Sequence, residues 1–187
     1  MNDLEIREIL CSYIDEQYNK VRIIDELVIG KARADIITVT DNLTGYEIKG
    51  DSDSYTRLPN QIKEYNKYLQ MNNIVVGSSH RKSVVSHVPE YWGILCITKE
   101  DEDAKIEVLR EATRNPKFKI KAQFRLLWRR ELANILKINQ MPKYQNKSRK
   151  FIYDKILEHI PQDIIEHQIC EEFFERDYTQ FSVLRKY

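Results

Sequence analysis

The chain has 187 residues, of which 30 are basic and 29 acidic, and a net charge of +1 that by itself predicts no polyanionic partner. No apolar run approaches the roughly 18 residues of a membrane-spanning helix, and the N-terminus lacks a signal-peptide pattern. Three cysteines, few and odd in number, are typical of a reducing compartment. We therefore expect a cytoplasmic protein that does not contact the membrane.

The N-terminal part of the chain predicts one helix followed by three strands. Apolar residues at helical spacing place the helix within residues 1–20. Runs rich in β-branched residues predict strands at 22–29, 34–40 and 46–49, joined by short turns. Strands joined by short turns pair in an antiparallel manner, so the strands of residues 34–40 and 46–49 should be neighbours.

The next stretch predicts a helix between two buried strands. Residues 58–71 have an apolar face at helical spacing, and residues 73–78 and 92–98 are strand-like. A strand–helix–strand passage favours a parallel pair, so the sheet should be mixed. The acidic residues 100–103 predict an exposed turn between the last strands of this sheet. The expected fold is α/β, with a mixed sheet flanked by helices.

The last third of the chain predicts helices alone. They are expected at residues 123–138, 148–159 and 161–175, with breaks where Pro142 and Pro161 occur. We therefore expect two domains, which are a core of residues 1–115 and a basic helical C-terminal subdomain of residues 116–187.

Two acids and a lysine carry the most specific chemical signal of the sequence. Asp35 lies near the start of one predicted strand, and the triplet Glu47-Ile48-Lys49 ends the next. Residues two apart in a strand point to the same face, so Glu47 and Lys49 project together while Ile48 packs behind them. Two carboxylates suit Mg²⁺, and a lysine beside that ion can orient an attacking water. In a chain with this many charged residues, an acid-x-lysine triplet is also common by chance.

Four short motifs surround these residues in a fixed order. They are Ala34-Asp35-Ile36, Gly45-Tyr46-Glu47-Ile48-Lys49-Gly50-Asp51-x-Asp53, Arg57-Leu58-x-x-Gln61-x-x-x-Tyr65 and Val88-Pro89-x-x-Trp92-Gly93-Ile94. In this order and spacing the chain resembles the PD-(D/E)XK nuclease superfamily, and within it a small branch found in bacteria and prophages. The resemblance covers roughly residues 20–100. Ala34 stands where the superfamily often has a proline, which shapes the strand and has no chemical role.

The resemblance implies a fold, an activity and a set of site residues. The fold is a restriction-endonuclease-like core, and the activity is metal-dependent, endonucleolytic hydrolysis of DNA that leaves a 5′ phosphate. Mg²⁺ is the implied cofactor, with Mn²⁺ as a substitute. The implied catalytic residues are Asp35, Glu47, Lys49 and Gln61. The implied metal ligands are Asp35, Glu47 and the Ile48 carbonyl, with Glu26 as an extra acid of the kind that some members supply.

Several of these residues also have a purely structural interpretation. Glu26 has an acidic neighbour, Asp25, and one of the two must face away from the site. Gln61 could lie on a plain helix surface, and Arg57 could be a solvated residue at the start of a helix. Tyr65 lies on the apolar face of the predicted helix, so core packing is the favoured interpretation.

Positive charge is concentrated between residues 117 and 150, where eleven basic residues face a single acid, Glu131. Such a patch attracts polyanions, so we expect a nucleic acid as the partner, although a solvated helical face is the usual alternative. The superfamily resemblance implies that this nucleic acid is DNA. The residues expected to bind nucleic acid are Arg57, Lys121, Arg125, Arg129, Arg130, Lys147, Arg149 and Lys150. Contacts to phosphate position a nucleic acid without specifying its sequence.

Two alternatives to an autonomous nuclease remain open. The chain could be a non-catalytic nucleic-acid-binding module on a nuclease fold, or an enzyme that cuts only with a protein partner or as a homodimer. An apolar C-terminal stretch with Phe173, Phe174, Phe181 and Leu184 could dock such a partner or close the core. Other chemistries are disfavoured, because the sequence lacks zinc-ligand spacing, a glycine-rich phosphate loop and a serine-hydrolase elbow.

Overall fold

The chain forms two compact units. The computed structural model describes residues 1–100 and 103–178. The first unit is Met1–Leu126, and the second begins at Leu127. The functional division between residues 1–115 and 116–187 stays a prediction.

The first unit contains a six-stranded sheet among the described residues. Its elements are α1 (Asp3–Gln17), β1 (Arg22–Ile29), β2 (Ala32–Val39), β3 (Leu43–Lys49), α2 (Leu58–Tyr68), β4 (Met71–Gly77), β5 (Gly93–Glu100), β6 (Asp103–Arg110) and the short α3 (Ile120–Gln123). The strands follow one another across the sheet in chain order. β1, β2 and β3 are antiparallel, β3, β4 and β5 are parallel, and β6 is antiparallel to β5. The predicted α/β fold with a mixed sheet is confirmed.

Helix α1 covers one face of the sheet. Its fully buried residues Ile6, Leu10 and Ile14 recur at helical spacing and pack against side chains from the central strands. The sheet residues of this core are Ile36, Tyr46, Ile48, Val75, Leu95 and Ile97. Because side chains alternate along a strand, the neighbours of Ile36 and Ile48 in sequence point to the opposite face.

Helix α2 connects the parallel strands β3 and β4 and ends three residues before the predicted residue 71. Leu69 leaves the helix with extended dihedral angles, although its amide still donates to the Tyr65 carbonyl at 3.0 Å. Met71 then pairs with Thr44 of β3. Residues 69–71, which the apolar periodicity assigned to the helix, therefore lead into strand β4 and its parallel pairing with β3.

The second unit is helical in its described part. Its helices are α4 (Arg129–Ile138), α5 (Arg149–His159) and α6 (Gln162–Glu175). The last two match the prediction within one residue, but the predicted helix 123–138 does not start until Arg129. Trp128 is extended, with ψ of 164°, and its amide donates to the Glu131 carboxylate at 2.6 Å. This capping contact fixes the start of α4 at Arg129.

Some predicted features fall outside the described residues. They include residues 101 and 102 of the acidic turn, as well as Phe181 and Leu184 of the C-terminal stretch. Phe173 of that stretch is fully buried. None of the helices within residues 1–100 and 103–178 is both long and apolar enough to cross a membrane.

Candidate active site

The end of β3 and the start of α2 hold a buried polar cluster. Glu47 is 0% exposed and Lys49 is 4% exposed, and the Lys49 amine lies 2.5 Å from Oε1 of Glu47. The Gln61 side chain donates to the same Glu47 oxygen and accepts from the Lys49 amine at 3.3 Å. Glu47 and Lys49 lie two residues apart in the strand, opposite the α1 side of the sheet, so α2 can bring Gln61 to both.

Asp35 reaches the same place from β2, where the pairing of β2 with β3 stops. The ladder ends at the pair Ile36–Tyr46. Beyond it, the Ile48 amide donates to Oδ2 of Asp35 at 2.8 Å. The Asp35 amide donates to the hydroxyl of Tyr65 at 3.1 Å. Side chains thus replace backbone partners here, and the two strands diverge at the acids.

Tyr65 and Arg7 hold Asp35 in this position. The buried Tyr65 hydroxyl accepts from the Asp35 amide and donates to the Tyr46 carbonyl at 3.3 Å, which ties β2 and β3 to α2. Burial raises the pKa of Tyr65, so the hydroxyl keeps its proton. Arg7 of α1 donates to the Asp35 carbonyl at 2.7 Å, and its guanidinium also lies 4.0 Å from Oδ1 of Asp35.

The electrostatics of the two acids are those of a carboxylate pair removed from water. Burial, and then the nearby Asp35 carboxylate, raise the pKa of Glu47 to about 7, although Lys49 opposes them. Burial likewise raises the pKa of Asp35. Among the described residues, Oε2 of Glu47 is buried without a hydrogen-bond partner. An unsatisfied buried carboxylate oxygen is costly, which makes this atom a candidate ligand for a cation.

These residues line one open cavity of about 740 Å³. Its wall includes six residues that the sequence pointed to, which are Asp35, Glu47, Ile48, Lys49, Arg57 and Gln61. It also includes residues that the sequence patterns did not single out, among them Asp3, Lys31, Arg33, Asn60 and Lys63. Besides Asp35, Glu47 and Lys49, the cavity wall thus carries four cations and three acids, which are Lys31, Arg33, Arg57, Lys63, Asp3, Asp53 and Glu64.

Glu26 does not line this cavity. It has a positive φ of 54° and, like Asp35 opposite it on β2, falls between the pairs Asp25–Ile36 and Leu27–Ala34 of the β1–β2 register. The register is the same on both sides of Glu26, so neither strand carries an extra residue there, and a left-handed φ is uncommon for a residue other than glycine. The Glu26 carboxylate lies 3.4 Å from Arg33, which does line the cavity.

The other predicted nucleic-acid contacts lie on a separate part of the chain. Lys121 and Arg125 are exposed near the end of the first unit. In the second unit Arg129, Arg130, Lys147, Arg149 and Lys150 are exposed as well. Some of them make internal bonds, since Arg149 donates to the Leu127 carbonyl and Lys150 lies 3.0 Å from Asp154.

The donor set available to a metal is small. Within the described residues, no group of three or more histidine, cysteine, aspartate or glutamate side chains is placed to hold an ion. Of the five carboxylates that line the cavity, those of Asp35 and Glu47 are held at the end of β3, by the Ile48 amide and the Lys49 amine. A site built on two carboxylates, with further ligands from backbone or water, is typical of Mg²⁺.

Similarity to known proteins connects the chain with one protein family. No curated protein matches it. Among solved structures it is similar to Pyrococcus furiosus SfsA in complex with Ca²⁺, with 16% identity and a TM-score of 0.34. That match covers 59% of this chain and 61% of the SfsA chain, so it spans less than two thirds of SfsA. A family model described as bacteriophage P4 protein cII matches residues 5–184, nearly the whole sequence. The chain therefore belongs to the bacteriophage P4 protein cII family.

Proposed function

We propose that this protein is a nuclease of the PD-(D/E)XK type that hydrolyses DNA phosphodiester bonds with the help of a divalent metal ion. One observation carries the proposal, namely that Asp35, Glu47, Lys49 and Gln61 converge on one open cavity. Acids, a lysine and an amide from three elements are the groups that metal-assisted phosphodiester hydrolysis needs.

The residues present fit a divalent cation. Oε2 of Glu47 is buried and without a partner within the described residues, and the burial of both acids disfavours their charge in the absence of a cation. Asp35, Glu47 and the Ile48 carbonyl would hold Mg²⁺, and Mn²⁺ would substitute. When bound, the ion would polarise the scissile phosphate and stabilise the charge on the leaving oxygen.

Lys49 is the residue that would position the attacking water. Its amine has three donors and is shared by Glu47 and Gln61, so a water bound to the third donor would lie over the cavity floor. Gln61 fixes the direction of this amine, and Arg7 and Tyr65 fix that of Asp35. The water and the phosphate would then meet in an orientation set by the protein.

The cations at the rim supply phosphate contacts next to the site. Lys31, Arg33, Arg57 and Lys63 are exposed and line the same cavity as Lys49. They would hold the phosphates that flank the scissile bond. We assign a second set of phosphate contacts, farther along the chain, to Lys121, Arg125, Arg129, Arg130, Lys147, Arg149 and Lys150. DNA is favoured over RNA by the superfamily resemblance.

Cleavage of a set of labelled DNAs tests the proposal. Single-stranded, duplex, flapped, four-way-junction and circular substrates are incubated with Mg²⁺, Mn²⁺ or EDTA. We expect metal-dependent cutting, including cutting of circles, which an endonuclease alone can open. Lys49→Ala should lower the rate at least about 100-fold, the usual scale for a residue that orients or activates the nucleophile. The matched control Lys105→Ala, on the exposed strand β6, should cut like the wild type.

The outcomes separate the proposal from its alternative. Equal cutting by Lys49→Ala and the wild type would contradict the assigned site. The absence of cutting by the wild type, with salt-sensitive DNA binding intact, would instead indicate a binding module or a partner-dependent enzyme. The latter is distinguished by adding a partner protein or raising the protein concentration to favour dimers.

A further inference from the structure

The second unit contains a cavity of its own. It has a volume of about 640 Å³. Its wall is formed by α4, by α5 and by the loop that connects these two helices. We call it the α4–α5 cavity. Its cationic residues are Arg129, Arg130, Lys137 and Lys143, and its apolar residues are Ala133, Leu136, Met141 and Ile152. No acid belongs to its wall among the described residues.

Specific contacts hold the wall of the α4–α5 cavity in place. At the end of α4, Gln140 adopts a left-handed φ of 53° and the Met141 amide donates to the Leu136 carbonyl at 2.8 Å. At its start, Arg129 donates to the Gln145 carbonyl at 2.5 Å and to the Lys147 carbonyl at 3.2 Å. These hydrogen bonds tie the loop to both ends of α4, and the α4–α5 cavity stays open along the helix.

The charge around the α4–α5 cavity is mostly positive, although Glu172 of α6 accepts from Asn134 of its wall and lies near Arg130. Between residues 117 and 150 the only acid is Glu131. It is 4% exposed, and the Arg176 guanidinium binds its two carboxylate oxygens at 2.7 and 2.6 Å. Because this acid is buried and already paired, it does not offset the exposed cations at the rim. A ligand of this surface should therefore be anionic.

The shape of the site selects among anions. Arg129 and Lys137 stand at opposite ends of α4, about 12 Å apart along the helix axis. A fatty acid or another single anion needs one cation, whereas cations spread over this distance suit a chain of phosphates. Between them, the apolar residues of the wall suit the flat face of a base, and the amides of Asn134, Gln140 and Gln145 can hydrogen-bond to its edge. A base is free to enter only where it is unpaired.

We propose that the α4–α5 cavity binds an unpaired nucleotide of single-stranded DNA, with the base on the apolar floor and adjacent phosphates on the cationic rim. This role goes beyond the proposed nuclease site and does not depend on cleavage. It would make the second unit a reader of single-stranded segments.

Fluorescence anisotropy in EDTA tests this role on the full chain, without cleavage. The probes are a labelled dT12 and a labelled hairpin duplex. Ala133→Phe fills the cavity, and Ala133→Ser is its matched control. We expect Ala133→Phe to weaken dT12 binding about tenfold, because the phenyl ring takes the place of the base and the burial of the apolar base face is lost. Duplex binding should change less than about twofold, and Ala133→Ser should resemble the wild type.

A second pair of variants tests the rim. Lys137→Gln combined with Lys143→Gln should lower the slope of log affinity for dT12 against log salt by about 1.4, the value for two phosphate contacts to a single strand. The control, Lys99→Gln with Lys105→Gln on β5 and β6, removes the same charge and should leave the slope unchanged. If Ala133→Phe does not fold, as judged by circular dichroism, this pair of variants decides alone.

Four results would overturn the proposal. The first is dT12 binding by folded Ala133→Phe that equals that of Ala133→Ser. The second is an equal loss of dT12 and duplex binding in Ala133→Phe, which would indicate a surface that contacts phosphates alone. The third is an unchanged salt slope in the rim variant. Competition by laurate but not by unlabelled dT12 for a bound naphthalene sulfonate dye would instead assign the cavity to an acyl anion.

Discussion

At the scale of the residue, the pairing of Glu47 with Lys49 is the feature on which the proposed chemistry rests. A buried ion pair is weak evidence for stability, because the desolvation of both charges offsets their attraction. Here one carboxylate oxygen of Glu47 is also without a partner among the described residues. A protein that needed only a stable core would be better served by apolar side chains, so this arrangement favours a functional role.

The raised pKa of Glu47 predicts a specific dependence of stability on pH. The pKa in the folded state, about 7, is above the ordinary value of 4.5. Between these values the folded state binds more protons than the unfolded state, so the free energy of unfolding falls as the pH rises from about 4.5 to about 7. In Glu47→Gln this loss should be smaller, by an amount on the order of 2 kcal/mol.

Urea unfolding in EDTA at pH 5 and pH 7.5 measures this difference. Glu171→Gln, at an exposed position of α6, is the control and should lose as much stability as the wild type. Parallel curves for the wild type and Glu47→Gln would show that Glu47 is not the group responsible.

The sequence predicts the members of the site better than their supports. Strand periodicity suffices to put Glu47 and Lys49 on one face, and the structure places them so. The supporting role of Tyr65 cannot be predicted from the sequence. A position on the apolar face of a helix indicates burial, but it does not indicate which group the hydroxyl contacts. Arg7 is equally hidden, because its contact with Asp35 depends on how α1 crosses the sheet. Tertiary packing, which leaves no local signal, decides both.

At the scale of the element, the turn between β1 and β2 is fixed against α2. Gly30 in this turn has a φ of +62°, and a Cβ atom there would contact the Glu64 carboxylate and lie 2.9 Å from the Tyr68 ring. The close approach sets the position of Lys31 and Arg33, which follow in the chain, relative to Lys63 on α2. The cationic rim of the cavity thus depends on one glycine.

Substitutions of Gly30 separate the effects of backbone angle and close approach. We expect Gly30→Ala to lower stability by about 1–2 kcal/mol through its left-handed φ alone, with a further loss from the contact with α2. Asn tolerates a left-handed φ but still carries a Cβ, so Gly30→Asn should recover only the first part. Thermal unfolding and DNA-binding titrations of the three proteins measure these effects. Full recovery by Gly30→Asn would show that the packing against α2 is unimportant.

At the scale of the whole molecule, the segment after residue 115 is built into the first unit. Asn115 is 3% exposed, and its side chain donates to the carbonyls of Asn66 and Leu69 at the end of α2. Gln123 donates to the Tyr68 carbonyl at 3.2 Å, and Phe124 is fully buried. The composition becomes basic near residue 117, and this change reflects the surface charge of the segment. The buried contacts of Asn115, Gln123 and Phe124 leave no comparable signal in the sequence.

Truncation tests where the first unit ends. A chain of residues 1–126 keeps these contacts and should unfold cooperatively. A chain of residues 1–115 should be less stable by at least about 1.5 kcal/mol, the lower end of the contribution expected from burying one large apolar side chain such as Phe124. Chemical unfolding followed by circular dichroism compares the two. Equal stability would favour a boundary at residue 115.

The point where β2 and β3 diverge has a practical consequence. The backbone amides of Asp35 and Ile48 donate to side-chain oxygens of Tyr65 and Asp35, respectively. The exchange rate of each amide therefore reports on a different part of the site. In native-state hydrogen exchange, Tyr65→Phe should accelerate exchange at the Asp35 amide, whereas Asp35→Ala should accelerate it at Ile48. Two backbone signals therefore serve as internal sensors of the site's integrity, readable by NMR before any substrate is known.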